Sequence, residues 1–219
     1  MTENRPPKRG RGRPPKDEAQ HRATMERLVN AGLAVLTEKG FSAVGIDEIL
    51  RLAEVPKGSF YHYFDSKTAF GSELIDRYSE YFVIMLTRWF TDDSLTPLNR
   101  MRAFVAEAMH GMARYQYRRG CLVGNLGQEM GTLPEVLRGQ LTGVFDTWQA
   151  LTADCLRAAQ DTGEIAPHHD CDRLAALFWI GWEGAVLRAK LERQPEPLEI
   201  FAEGFFAMIG ARQDRNPSS

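Results

Sequence analysis

Cysteine is scarce in this chain: three residues in 219, at Cys121, Cys155 and Cys171. An odd number at such wide spacing excludes a disulfide framework and a cysteine-rich zinc module. Long apolar runs are missing as well. The longest, Leu174 to Trp182 with Gly181 inside it, falls far short of the ~20 residues that a bilayer-spanning helix needs. The basic N-terminus is not followed by the apolar stretch of a secretory leader, so the expectation is a cytoplasmic chain without a membrane partner. Also missing are a glycine-rich nucleotide loop, a nucleophile elbow, a His-Glu-x-x-His helix and a convincing carboxylate pair, which speaks against an enzyme and against a cofactor. His168, His169, Asp170, Cys171 and Asp172 crowd together, but adjacent loop residues rarely complete a metal coordination set. Asp170 or Asp172 reads more simply as a helix cap, and no metal is expected.

Net charge of one sign is nearly absent, at −2 overall; its distribution is the informative part. Arg5, Lys8, Arg9, Arg11, Arg13 and Lys16 stand together with no acidic residue among them. The body that follows is mildly acidic, the asymmetry expected when one end visits a polyanion. Gly10, Gly12, Pro14 and Pro15 keep this arm from burying apolar surface, so residues 1–21 read as disordered when free. Arg11-Gly12-Arg13-Pro14 resembles an AT-hook, in which arginines enter a narrow A·T-rich minor groove. A tail that binds phosphates without sequence preference is the alternative. Either reading points to nucleic acid.

Strand patterns are lacking too, and from Asp17 onward the periodicity is helical. Met25, Leu28, Val29, Leu33 and Leu36 follow the i, i+3, i+4 spacing of an amphipathic helix that Gly40 is placed to end. Gly45 serves as N-cap to a short second helix with Asp47 and Glu48 in its first turn and Ile46, Ile49, Leu50 and Ala53 on its inner face. Glu54-Val55 makes a turn, and Pro56 opens a third helix. Asp65 or Ser66 caps a long fourth helix to about Phe90. Thr96-Pro97 opens a helix to about Tyr117, and an apolar stretch runs from Leu122 to Met130. Pro134 opens a helix ending near Gly163, Asp170 or Asp172 caps a very apolar one, and a last helix spans Pro197 to Ile209. The fold class is therefore all-α, with about nine helices.

Three short helices with a tight turn between the second and third form a helix-turn-helix DNA reader. In the third, Lys57-Gly58-Ser59-Phe60-Tyr61-His62-Tyr63-Phe64, the two phenylalanines share one face and pack inward. Lys57, Tyr61 and His62 then point outward, a cation, a phenol and an imidazole suited to base edges and phosphate oxygens. Gly58 lets backbone N–H groups approach a phosphate, and Lys67 is placed to neutralise another.

The run Gly40-Phe41, Ile46-Asp47-Glu48-Ile49, Val55 to Phe64 and Ser66-Lys67 resembles the DNA-binding domain of the tetracycline-repressor (TetR) family, over about residues 22–75. The resemblance implies that Lys57, Ser59, Tyr61 and His62 face bases, while Tyr63 and Lys67 hold the DNA backbone. It also implies a homodimer that offers two readers to a near-palindromic double-stranded operator. Gly45 departs from the Ser or Thr the family often carries as cap, at little cost.

Residues 76–211 read as an effector-binding and dimerisation domain, with 212–219 a frayed tail. Tyr78, Tyr81, Phe82, Trp89, Phe145, Trp148, Phe178, Trp179 and Trp182 recur at helical spacing. Most are core, and a few line a pocket between helices. Leu177 to Leu187 is apolar nearly all round, with Gly181, Gly184 and Ala185 admitting close approach; by the resemblance it belongs to a four-helix dimer interface. Glu183 inside it should be paired or interfacial, with Arg188 or Arg157 as partner.

Arg118 and Arg119 precede Cys121 at or before a helix N-terminus, and both effects lower a thiol pKa, so a reactive Cys121 could sense electrophiles or oxidants; an inert buried cysteine is the alternative. Arg118 to Leu126, Gln128-Glu129-Met130 and Trp179 to Gly184 resemble a TetR branch responsive to acrylate and related unsaturated or electrophilic small molecules. The effector candidates are accordingly Arg118, Arg119, Cys121, Asn125, Gln128, Trp148 and Trp182. Arginine and amide groups here could hold an anionic effector without a covalent step.

Overall fold

Backbone periodicity and caps translate directly into helices in the computed structural model, which describes residues 15–210 and side chains from Glu18 onward. Arg11 and Arg13, with the rest of the basic arm before residue 15, lie outside the described residues, as does the tail from residue 211. The elements are α1 (Pro15–Lys39), α2 (Ile46–Leu52), a 3-10 helix (Lys57–His62), α3 (Lys67–Phe90), α4 (Pro97–Arg114), α5 (Leu122–Gly127), α6 (Glu135–Asp161), α7 (Cys171–Glu192) and α8 (Glu196–Ile209). Among the described residues the only bridge-like pairing is an isolated one between Ile165 and Gly210. No helix there is long and apolar enough to cross a membrane.

The caps act as their chemistry dictates. Ser66 accepts from the Ala69 N–H at 3.0 Å, and Asp170 takes the N–H groups of Asp172 and Arg173 at 3.1 Å each. Each satisfies donors that the first helical turn leaves without a backbone partner. Gly40 ends α1 with φ +86°, a left-handed conformation that a side chain disfavours. Glu54 takes φ 54° in the turn after α2.

Two features differ from the sequence expectation. The third helix is a 3-10 helix that stops at His62, because Tyr63 N and Phe64 N both fold back on Phe60 O at 2.9 and 3.1 Å and close the last turn tightly. α1 already begins at Pro15, inside the stretch 1–21 read as disordered; the apolar stretch after Cys121 is the short helix its cap position implied, α5, with Leu122, Val123 and Leu126 buried.

The N-terminal part packs α1 on α2 and α3, with α2 against the 3-10 helix. Its core centres on Phe60, Phe64 and Phe70, with ring centroids 4.8–5.5 Å apart. The C-terminal part is a bundle in which α6 touches α3, α4 and α7, and α8 covers one side of α7. Trp148, Trp179, Phe104 and Phe178 fill its centre. Gly181 serves α8 of the same chain, since a Cβ there would collide with the Phe201 ring, whereas Gly184 faces open space. α5 bridges the two parts, touching α1, α3 and α6.

Candidate functional site

Two surfaces carry chemistry, joined by α5. The first is the outer side of the 3-10 helix. Phe60 is fully buried and Phe64 nearly so, which leaves Lys57, Gly58, Tyr61 and His62 exposed, Tyr61 at 67%. Lys57 pairs with Asp47 of α2 at 2.6 Å, an exposed pair worth little in stability. Ser59 and Tyr63 are half-buried, and the Tyr63 ring stacks on His21 of α1 at 4.5 Å.

Lys67, expected at the DNA backbone, also makes a contact within the chain. Its ammonium donates to the Phe41 carbonyl at 2.7 Å and lies 4.4 Å from the centre of the Phe41 ring. Burial lowers its pKa, with Glu129 opposing that shift.

The second surface is a cavity of about 550 Å³ bounded by α1, α3, α4, α7 and the segment leading into α5. Leu33, Phe82, Met85, Met112, Trp182 and Val186 supply apolar walls, and Tyr78, Arg119, Cys121 and Glu183 the polar groups. A few convergent polar groups on apolar walls are the composition of a small-molecule site.

Cys121 is the N-cap of α5, and its Sγ accepts from Gly124 N at 3.5 Å. Of the two readings of Cys121, reactive or inert and buried, its surroundings favour the second. Burial pushes the thiol pKa well up, and the neighbouring Glu183 carboxylate adds to the shift. The arginines that should have opposed this are engaged elsewhere: Arg118 faces Glu38 at 3.6 Å, and Arg119 lies over the Tyr115 ring at 4.0 Å. Tyr78, which faces Cys121, is likewise raised by burial.

Glu183 pairs with neither of the arginines suggested for it. Arg188 pairs with Glu192, and Arg157 with Asp154 and Asp172, so neither reaches it. Its carboxyl group is buried, its Oε1 has no hydrogen-bond partner, and desolvation raises its pKa to about 7, with the Cys121 contact pulling the other way. Its Oε2 lies so close to Gly124 that a Cβ there would collide with it.

The remaining effector candidates separate. Arg119, Cys121 and Trp182 line the cavity; Trp148 lies behind it, packed on Phe82 and Trp179 with ring centroids 4.7 Å apart in each case. Arg118, Asn125 and Gln128 border a different depression, of about 530 Å³, beside the end of α1. Asn125 works there as a clamp: its Nδ2 donates to Leu36 O at 3.1 Å and Thr37 O at 2.7 Å, and its Oδ1 accepts from Lys190 at 3.3 Å.

Sequence reasoning missed Tyr78 and Glu183 as cavity polar groups, and it missed Glu129. The Glu129 carboxylate accepts from Phe41 N at 2.7 Å and Ser42 N at 2.6 Å, and Gly120 N donates to Thr37 O at 2.9 Å. Only the unusual placement of acids within apolar runs hinted at the two glutamates. The segment that edges the cavity thus also grips the C-terminal end of α1, on which α2 packs, with the 3-10 helix against α2 in turn.

An exposed helix-turn-helix face, with a cavity of apolar walls and a few polar groups in the helical bundle behind it, is the architecture of a ligand-responsive transcriptional repressor of the TetR class. The chain belongs to that family: residues 28–74 match the model "Bacterial regulatory proteins, tetR family", and residues 97–205 match "Tetracyclin repressor-like, C-terminal domain". It is 55% identical to Transcriptional regulator AcuR of Cereibacter sphaeroides over 91% of this chain and 90% of that protein. It is 34% identical to the HTH-type transcriptional repressor DhaR of Mycobacterium sp. strain GP1, over 84% and 91% of the two chains. The crystal structure of regulatory protein TetR from Rhodobacter sphaeroides superposes with a TM-score of 0.84 at 56% identity, covering 85% of this chain and 98% of that one. Members of the family bind DNA operators and small-molecule effectors, typically as dimers.

Proposed function

We propose that the chain is a homodimeric repressor that holds a near-palindromic operator and releases it when a small unsaturated acid, acrylate or a close relative, enters the cavity. Residues 22–75 form the reader and residues 76–211 the effector-binding and dimerising part. Lys57, Ser59, Tyr61 and His62 face bases, with Gly58 and Tyr63 at the DNA backbone. Lys67 supports the reader through Phe41, and Arg11 and Arg13 of the arm add phosphate or minor-groove contacts. Pairing two half-sites ~34–36 Å apart turns a weak single reader into a tight one.

The observation that carries this reading is one short segment in which Gly120 and Cys121 are cavity wall while Gly120, Asn125 and Glu129 hold the end of α1 and the residues just after it. A ligand shifts the equilibrium only by its difference in affinity for two conformers. Here a shift of that segment re-aims α1 and with it the reading face. Dimerisation through α7 and α8 is supported by their exposed apolar residues Leu177, Ile180, Leu191 and Ile200, with Ile180 and Leu191 each 74% exposed. Acrylate is favoured by the likeness of residues 118–130 and 179–184 to the acrylate-responsive branch, and by the cavity's mix of apolar wall and few polar groups.

Covalent sensing at Cys121 is the second reading. Its support is that the thiol lines the cavity; against it, burial keeps the group protonated. Gel shift on the DNA upstream of the protein's own reading frame, with acrylate added to the native chain and to Cys121→Ser, separates the two. Release by acrylate from both proteins supports non-covalent binding. Release lost only in Cys121→Ser supports the thiol. No release from either sinks both.

A further inference from the structure

Glu183 presents a problem that the cavity must solve. It is a carboxylic acid among apolar walls, with Oε1 unpartnered and Oε2 turned toward Gly124 and Cys121. The titratable and charged groups around the same cavity are Tyr78 and Tyr81 on α3, Glu107 on α4, and Tyr115, Arg119 and Cys121 on the segment before α5. α1 offers Asn30 and Thr37, and among the described residues α6 and α8 offer no lining group. Glu107 is held by Arg88 and Trp89, and Arg119 lies over Tyr115. No lining cation faces Glu183 directly among the described residues. A second carboxylate brought beside an ionised Glu183 would meet a like charge in a low-dielectric space, and two such groups cannot both stay ionised cheaply.

Resting on the effector reading above, we infer that Glu183 receives the effector's carboxylate as a neutral acid, donating a hydrogen bond through Oε1 once the ligand's entry uncovers that buried oxygen, so that each effector anion binds together with one proton. A neutral acid facing a carboxylate makes a short, charge-assisted O–H···O⁻ bond, which also gives the orphaned oxygen its partner. Burial prepares the group for this role by holding its pKa at about 7. Only the protonated fraction of the free protein then binds, and apparent affinity falls as that fraction falls.

The test is titration calorimetry of the full chain with acrylate at pH 6 and pH 8, each in two buffers of different ionisation enthalpy, which counts protons taken up on binding. The expected result is close to one proton at pH 8 and far less at pH 6, with binding about tenfold weaker at pH 8. Glu183→Gln keeps a hydrogen-bond donor without a titrating proton, and its binding should lose the uptake and most of the pH dependence. Acrylate binding to the native chain without proton uptake at pH 8 overturns the inference and leaves the effector reading standing. So does a Glu183→Gln protein that still takes up the proton. Should the Gln variant fail to fold, the native chain's proton count decides alone. Absence of heat at both pH values, with an operator complex that survives acrylate, overturns the effector reading and this inference with it.

Discussion

Glu129 and Phe41 stand 88 residues apart in the chain, yet the carboxylate of one holds the backbone N–H of the other at 2.7 Å, while Lys67 grips the Phe41 carbonyl at 2.7 Å. Both polar groups of this single residue are thus tied to the rest of the molecule just where α1 ends. The joint between reader and bundle is built from backbone hydrogen bonds with an ionised partner, which are stronger and more directional than apolar contact alone.

Glu129→Ala removes the acceptor from two N–H groups. Stability should fall by about 1.5–3 kcal/mol in urea unfolding. Acrylate affinity of the free protein should change little, while the acrylate concentration needed for operator release rises. Equal shifts in binding and release would argue that Glu129 belongs to the cavity and not to the joint.

Glu183 makes stability pH-dependent. Its pKa is about 7 when folded against an ordinary 4.5, so between these values the native state keeps a proton that the unfolded chain has lost. Stability contributed by this group is therefore full below the lower value and declines as pH rises through the upper one, by an amount on the order of 3 kcal/mol. Thermal unfolding between pH 5 and pH 8 should show this decline in the native chain and a flatter profile in Glu183→Gln. Identical profiles would contradict the burial argument.

Phe60 and Tyr61 are neighbours with opposite duties. Phe60→Ala empties the centre of the reader and should cost about 3–5 kcal/mol of stability in chemical denaturation. Tyr61→Ala should leave stability within about 0.5 kcal/mol and weaken specific operator binding by roughly 1–3 kcal/mol. Anisotropy on specific and scrambled duplexes checks the second: an equal loss on both would make Tyr61 a phosphate contact only.

Ile180 lies 74% exposed on α7. Ile180→Asp places a charge on that apolar face, and sedimentation velocity should show monomers where the native chain gives dimers, with operator binding lost in parallel. A dimer that persists would move the interface elsewhere.

The fold was readable because its punctuation is local. Ser66, Thr96-Pro97 and Asp170 each announce a helix within three residues of themselves, and Gly40 closes one through its own backbone. The inward turn of Phe60 and Phe64 followed from their spacing for the same reason. The site was only partly readable, because its decisive contacts are long-range. Arg118 and Arg119 adjoin Cys121 in sequence but turn to Glu38 and Tyr115, and the group that governs the thiol, Glu183, sits 62 positions later. Nothing in the spacing of Asn125 or Glu129 reveals that they reach back to the end of α1.

The central claim is that a ligand in the cavity changes the spacing of two reading faces, and distance measurement tests it most directly. Spin labels on Leu52→Cys, an exposed α2 site that none of the proposed DNA contacts uses, in a chain whose own cysteines are all buried, report the separation of the two readers by pulsed electron resonance. The account predicts a distance peak that operator DNA leaves in place and that acrylate displaces by several ångströms. A peak that acrylate leaves where the operator holds it would contradict the account.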